Sequence, residues 1–217
     1  GLFISFNKVT EINGLQNIDF SKVTDISYMF NSCSRLKSVD LSELNMGKVT
    51  GMYYMFEDCT SLINVNMSAI DVKNVKSMFA MFHNCTSLTD VNISKMKTSS
   101  LIDMRLMFTD CSSLRNLDMS EIDTSNVTSM SSMFKGCSSL TNLNIGNWDV
   151  SSVTDTSFMF YNCSGLVNLE IGDWNVSNVT NAGYMFSDCS SLKNLEIRNW
   201  DVSSVTDVSY MFSDCSS

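Results

Sequence analysis

The chain has 217 residues, 44% of them hydrophobic and 17% charged, a balance that excludes a disordered chain and is enough for a packed core. With 14 basic against 23 acidic side chains the net charge is −9, which disfavours nucleic acid, a partner that proteins grip with Lys and Arg. No apolar run approaches the ~20 residues a membrane helix needs, and the opening "GLFISF" lacks the layout of a signal peptide.

From about residue 9 onward the chain repeats itself. Met29-Phe30 recurs at Met55-Phe56, Met81-Phe82, Met107-Phe108, Met133-Phe134, Met159-Phe160, Met185-Phe186 and Met211-Phe212, always 26 residues apart and without an insertion. Cys33, Cys59, Cys85, Cys111, Cys137, Cys163, Cys189 and Cys215 keep the same step. The expectation is one domain over 1–217, read as a fragment of a longer chain in which a single unit is stacked eight times.

Each unit begins with an apolar anchor three residues after its Cys, from Leu36 to Leu192. Pairs two apart follow, such as Leu117 and Met119 or Leu143 and Ile145, and this alternation predicts a short strand with one buried face. Val127, Met130, Phe134 and Cys137 come next, spaced three, four and three. Those intervals place them on one stripe of a short helix, with Thr128 able to cap its first amides. Two residues past each Phe stand Ser32, Asp58, Asn84, Asp110, Gly136, Asn162, Asp188 and Asp214; Gly and Asn tolerate the left-handed backbone that ends a helix, and Asp does so less readily.

One such unit cannot bury its apolar face alone. Stacked in register, the strands make a parallel sheet on the concave side and the helices line the other, around one core. Phe and Cys then become core rungs, each packing on its copies above and below. The class is α/β: a solenoid of eight 26-residue coils, each a short strand plus a short helix.

The pattern "LxxLxLxxWDVSxVTxxxxMFxxCxSL" resembles the 26-residue repeat of bacterial surface proteins, a branch of the BspA-like leucine-rich-repeat proteins. "EINGLQNIDFSKVT" resembles the usual opening of such arrays. The resemblance implies a leucine-rich-repeat-like solenoid that is extracellular, held at the cell surface, and engaged in adhesion to a host or matrix protein or a glycan.

The candidate chemistry is sparse. No two cysteines lie closer than 26 residues, whereas zinc sites need clustered pairs. Neighbouring rungs would hold cysteine Cβ atoms about 4.8 Å apart, beyond the ~3.5–4.5 Å of a disulfide. The expectation is therefore buried, reduced thiols. His83 is the only histidine, at a position that varies freely from unit to unit, and is expected to be solvated. No phosphate-binding loop is present, so no enzyme, cofactor or metal is expected.

The polar residues between the strand anchors are the candidate ligand-binding set: Asn116, Asp118, Asn142, Asn144, Asn168, Glu170, Asn194 and Glu196. They offer amides and carboxylates to an extended or repetitive partner. The competing interpretation is that stacked Asn side chains bond one another and only keep the sheet soluble. Tyr28, Tyr54, Phe158, Tyr184 and Tyr210 precede Met in five units and suit either the core rim or an interface. Trp148, Trp174 and Trp200 take a slot that is always apolar and are expected to be packed. Residues 116–217 hold 12 acidic and 3 basic side chains and carry the whole charge imbalance; this half would suit a basic partner or plain solubility.

The expected function is a non-enzymatic extracellular binding or adhesion module with no transmembrane segment in this chain. The alternative is a structural spacer without a ligand of its own. Uncovered rungs in the terminal coils suggest end-to-end self-association.

Overall fold

The structure, a computed structural model, describes residues 2–68, 70–93 and 95–216. The alternating apolar pairs form strands where the sequence places them: β1 (Ser38–Asp40), β2 (Asn64–Asn66), β3 (Asp90–Asn92), β4 (Asn116–Asp118), β5 (Asn142–Asn144), β6 (Asn168–Leu169) and β7 (Asn194–Leu195). The pairings between these strands are parallel and step by 26 residues, Val39 to Val65 to Val91 in one sheet and Leu117 to Leu143 in the next. A parallel bridge from Glu11 to Ser38 precedes them at a step of 27. The strands group as β1-β2-β3, β4-β5 and β6-β7. The order follows the chain, as a solenoid requires.

The expected short helix is absent. Among the described residues the single helical element is a 3₁₀ turn, Leu15–Asn17. The segment from the residue before Met to the Cys is instead a run of turns whose amides alternate in direction. In one coil the N–H groups of Ala80, Phe82 and Asn84 donate to the carbonyls of Arg105, Met107 and Thr109 of the next coil, at 2.9, 2.8 and 2.8 Å. Those of Met81, His83 and Cys85 donate three residues back within their own coil, at 3.1–3.2 Å. An α-helix would spend every amide inside its own segment. Here half of them tie one coil to the next.

This alternation needs two left-handed residues per coil, four apart, as at Tyr54 (φ 56°) and Asp58 (φ 60°). The residues expected to tolerate that backbone do adopt it, Ser32 through Asp214, with Gly136 at φ 74°. They terminate no helix; they re-aim alternate amides. Thr128 caps nothing either, because its N–H donates to the carbonyl of Ile102 in the preceding coil at 2.9 Å and its hydroxyl turns to the same oxygen. A second parallel ladder results, through Asp25, Gly51, Ser77, Asp103, Ser129, Asp155, Asn181 and Asp207. It runs unbroken where the strand ladder is interrupted.

Between the two ladders lies one continuous core. Phe30, Phe56, Phe82, Phe108, Phe134, Phe160 and Phe186 have no exposed surface. Their rings stack nearly parallel, with centroids 5.1–5.9 Å apart. Since the ladder step is about 4.8 Å, these longer spacings displace each ring sideways, the offset that aromatic quadrupoles favour. Val127, Met130 and Cys137 are also fully buried, so the stripe inferred for a helix is a true core stripe on a different backbone.

The rungs begin earlier than the repeat does. Phe3 stacks on Phe30 at 5.4 Å and 3°, and its N–H and that of Ser5 donate to the carbonyls of Met29 and Asn31. Ser5 is left-handed at φ 58°, as Ser32 is. Residues 3–6 thus form half a coil over the first full one, with a 27-residue offset and Phe6 in the place of Cys.

Candidate functional site

The eight strand-face candidates all emerge from the polar side of β4–β7 or the residue just after them, and all are exposed. Alternation explains this directly: Leu117 and Leu169 between them turn inward and keep only 3% exposure. Coil stacking sets the spacing, so like residues stand over like. Asn142 donates its amide to Asn116 Oδ1 at 2.6 Å, Asn194 to Asn168 Oδ1 at 2.8 Å, and Asn144 to Asp118 Oδ1 at 3.2 Å.

The turn that follows β4 holds the Asp118 carboxylate. Ser120 gives Asp118 its hydroxyl at 2.7 Å and its backbone N–H at 3.1 Å. With the Asn144 amide these bonds hold the Asp118 carboxyl below the usual range. Glu196 accepts two bonds from Arg198, at 2.6 and 2.9 Å. Sequence reasoning passed over Arg198, although a cation two residues past an outward carboxylate is legible in the sequence.

Two adjoining open depressions run along this face. The first, about 480 Å³, is lined by Asn116, Asp118, Asn142, Asn144, Asn168 and Glu170, with Thr141 at its edge. The second, about 660 Å³, shares Asn168 and Glu170 and adds Asp173, Asn194, Glu196 and Arg198. Between them they contain every candidate. The lining offers amide donors and carboxylate acceptors in two columns and a single guanidinium. It contains no nucleophile paired with a base.

The remaining candidates lie elsewhere. All eight cysteines are free, seven buried and Cys215 half-buried. Beyond packing, each described thiol donates to a carbonyl in the preceding coil, as Cys85 does to Phe56 at 3.0 Å. Trp148 and Trp174 are buried at 4% and 3% exposure. Their indole N–H groups reach carbonyls 29 residues back, Met119 at 3.0 Å and Ile145 at 3.3 Å. His83 is not freely solvated: it is half-buried and pairs through Nδ1 with Glu57 at 3.1 Å, the residue beneath it. Among the described residues no group of three or more His, Cys, Asp or Glu side chains is placed to hold a metal ion. No helix there is long and apolar enough to cross a membrane.

Short parallel strands at a 26-residue step over one uninterrupted core define a leucine-rich-repeat-like solenoid. The chain matches the family described as "Mycoplasma protein of unknown function, DUF285" over residues 2–116, 82–194 and 139–217, and it belongs to that family. None of the curated proteins matches it. Among solved structures it resembles a leucine-rich repeat protein from Eubacterium ventriosum, with a TM-score of 0.57 and 18% identity over 88% of this chain and 45% of that one. It also resembles a chain of the Drosophila Toll–Spätzle complex, with a TM-score of 0.50 and 16% identity over 83% of this chain and 24% of the other. A leucine-rich cell surface protein from Faecalibacterium prausnitzii is more distant, at 0.47 and 23% identity over 79% and 42%. The chain therefore spans less than half the length of these relatives. At such identities the likeness is one of fold.

Proposed function

We propose that this solenoid is a non-enzymatic binding module of a bacterial surface protein, acting outside the cell and presenting its polar strand face to a protein or glycan. The observation that carries the reading is the coincidence of the eight outward residues with two adjoining depressions on one face. A ligand lying along this surface meets a column of amides and, beside it, a column richer in carboxylates. Amides both donate and accept, so they suit the hydroxyls of a glycan or the main chain of an extended partner segment. The regular spacing suits a ligand that is itself repetitive.

The test is a glycan and matrix-protein array probed with the purified chain and with Asn142→Ala and Glu170→Gln variants of unchanged melting. Binding to an array member that weakens in both variants supports the strand face. Absence of any signal, or a signal indifferent to both changes, would leave the chain as a spacer.

A further inference from the structure

The turn side carries a second surface, independent of the strand face. The residue before each Met is left-handed in every coil, at φ 51–59° from Tyr28 to Tyr210. Ala80, Leu106 and Ser132 fill that position in the middle coils. The backbone there consequently accepts small and aliphatic side chains, and the fold does not require an aromatic ring.

The last three coils nevertheless place aromatic rings at this position. Phe158 and Tyr184 stack at 4.7 Å and 6°, and Tyr184 and Tyr210 at 4.9 Å and 21°. Tyr161 packs edge-on against both Phe158 and Tyr184. The rings are half-buried, and Tyr210 is 64% exposed. Carboxylates accompany them: the Tyr161 hydroxyl engages Asp188, which raises the phenol's pKa, and Asp214 stands one coil further on. Asp155 and Asp207 lie on the bridge ladder three residues before Phe158 and Tyr210.

One cation already uses this strip. Lys135 places its ammonium 5.7 Å from the Phe158 centroid and 5.6 Å from that of Tyr161. It does so where Ser132 interrupts the column and leaves the face of Phe158 open. The other two basic residues of this half are Lys193, beside β7, and Arg198, paired with Glu196 on the strand face.

We propose that the strip formed by Phe158, Tyr161, Tyr184, Tyr210, Asp188 and Asp214 docks a Lys- and Arg-rich segment of a partner protein. Mutual stacking covers most ring faces, and a sugar needs an open face to lie on. Ring edges, hydroxyls and carboxylates are left to the solvent. Long basic side chains lay their aliphatic stems along apolar edges and bring their charges to carboxylates, and Lys135 makes the equivalent aromatic contact within the chain. The surplus of acid over base in residues 116–217 draws such a segment in and repels an acidic one.

The experiment is fluorescence anisotropy with a labelled nine-residue peptide of alternating Lys and Ser at low salt, with its Glu and Ser counterpart as control. The wild-type chain should bind the basic peptide only. Tyr184→Ala combined with Tyr210→Ala should weaken it about tenfold, the equivalent of losing contacts at two rings; Ala80 and Leu106 show that the backbone tolerates the change. Asp188→Asn should weaken it roughly three- to tenfold, and Glu170→Gln with Glu196→Gln on the strand face should leave it unaltered. Equal binding of both peptides, or no loss in the aromatic double variant despite unchanged melting, would overturn the proposal. So would a loss that follows only the strand-face glutamates, because that would mark diffuse attraction to the acidic half.

Discussion

The thiol of Cys137 donates to the carbonyl of Phe108 in the preceding coil at 3.1 Å, and the backbone N–H of Cys111 donates to the same oxygen at 3.1 Å. One core oxygen thereby receives two donors, one from its own coil and one from the next. The arrangement recurs at Cys59, Cys85, Cys111, Cys163, Cys189 and Cys215. A buried carbonyl has two lone pairs to satisfy, and a small, weakly polar thiol fills the second without a cavity.

This predicts slow chemistry at the cysteines. Burial pushes Cys59 and Cys189 up to about 12, and the reactive species is the thiolate. A thiol reagent at pH 8 should modify Cys215 first and the seven buried thiols only on opening, reaching eight on unfolding. Mass spectrometry that finds internal disulfides would refute the scheme.

The same shift fixes an alkaline limit. A thiol whose folded pKa lies above its unfolded value stabilises fully below about pH 9, and that contribution is lost as pH rises toward 12. Cys59 alone gives up about 4 kcal/mol over the window. Melting temperature should fall steeply above pH 9, and Cys59→Ala should fall less steeply from a lower start. Parallel curves for the two proteins would refute this.

Phe134 tests the core rungs. It is fully buried between Phe108 at 5.9 Å and Phe160 at 5.6 Å, so Phe134→Ala should cost about 3–5 kcal/mol. Nearest-neighbour coupling then predicts two unfolding transitions in place of one. Asn142→Ala removes an exposed amide bond and should cost ~0.5–1 kcal/mol. Equal losses in denaturant melts would mean that inward and outward positions are exchanged.

The solenoid was legible because its signal is repeated. The alternation around Leu117 and Leu143 identifies strands, and a fixed 26-residue step stacks them in register. The helix was misread for a physical reason: Val127, Met130, Phe134 and Cys137 occupy one buried stripe on either backbone, and side-chain spacing does not record where an amide donates. The left-handed aromatics gave no warning, since Tyr and Phe are poor residues for that region. The half-coil at Phe3 was hidden by its one-residue offset. Outward strand residues were readable from alternation, and the 26-residue step already anticipates the Asn142–Asn116 bond. The Glu196–Arg198 spacing within one coil was readable too, but not the two bonds it makes.

Gly136 gives a sharper test of the turn backbone. At φ 74° it lies where an L side chain costs roughly 1–2 kcal/mol, and an added Cβ would also collide with the carboxylate of Asp110 one coil below. Asp58 and Asp188 occupy the same slot in other coils, so the backbone cost is bearable. Gly136→Ala should therefore destabilise by roughly 2 kcal/mol, and Asp110→Ala in the same chain should recover part of it. Additive losses in the double variant would show that the two residues do not meet.

The two ladders should differ in durability. The bridge ladder continues from Ser77 through Asp103 to Ser129, whereas the strand ladder stops after β3 and resumes at β4. Lys95, left-handed at φ 62°, and the irregular "KMKTSSLIDMR" stretch lie in that gap. The turn-side amides of Phe108 and Asp110, bonded to Met133 and Lys135 at 2.9 and 2.7 Å, should then exchange hydrogen only by opening of the whole array. Strand-side amides of residues 95–100 should exchange at least tenfold faster. Among the described residues there, the backbone N–H of Lys97 is the one that donates to another coil, at 3.4 Å, so a local opening breaks few intercoil bonds. The predicted order is therefore turn side slow and strand side fast within a single coil. The reverse order would show that the strands hold the array together, leaving the turns a lesser part.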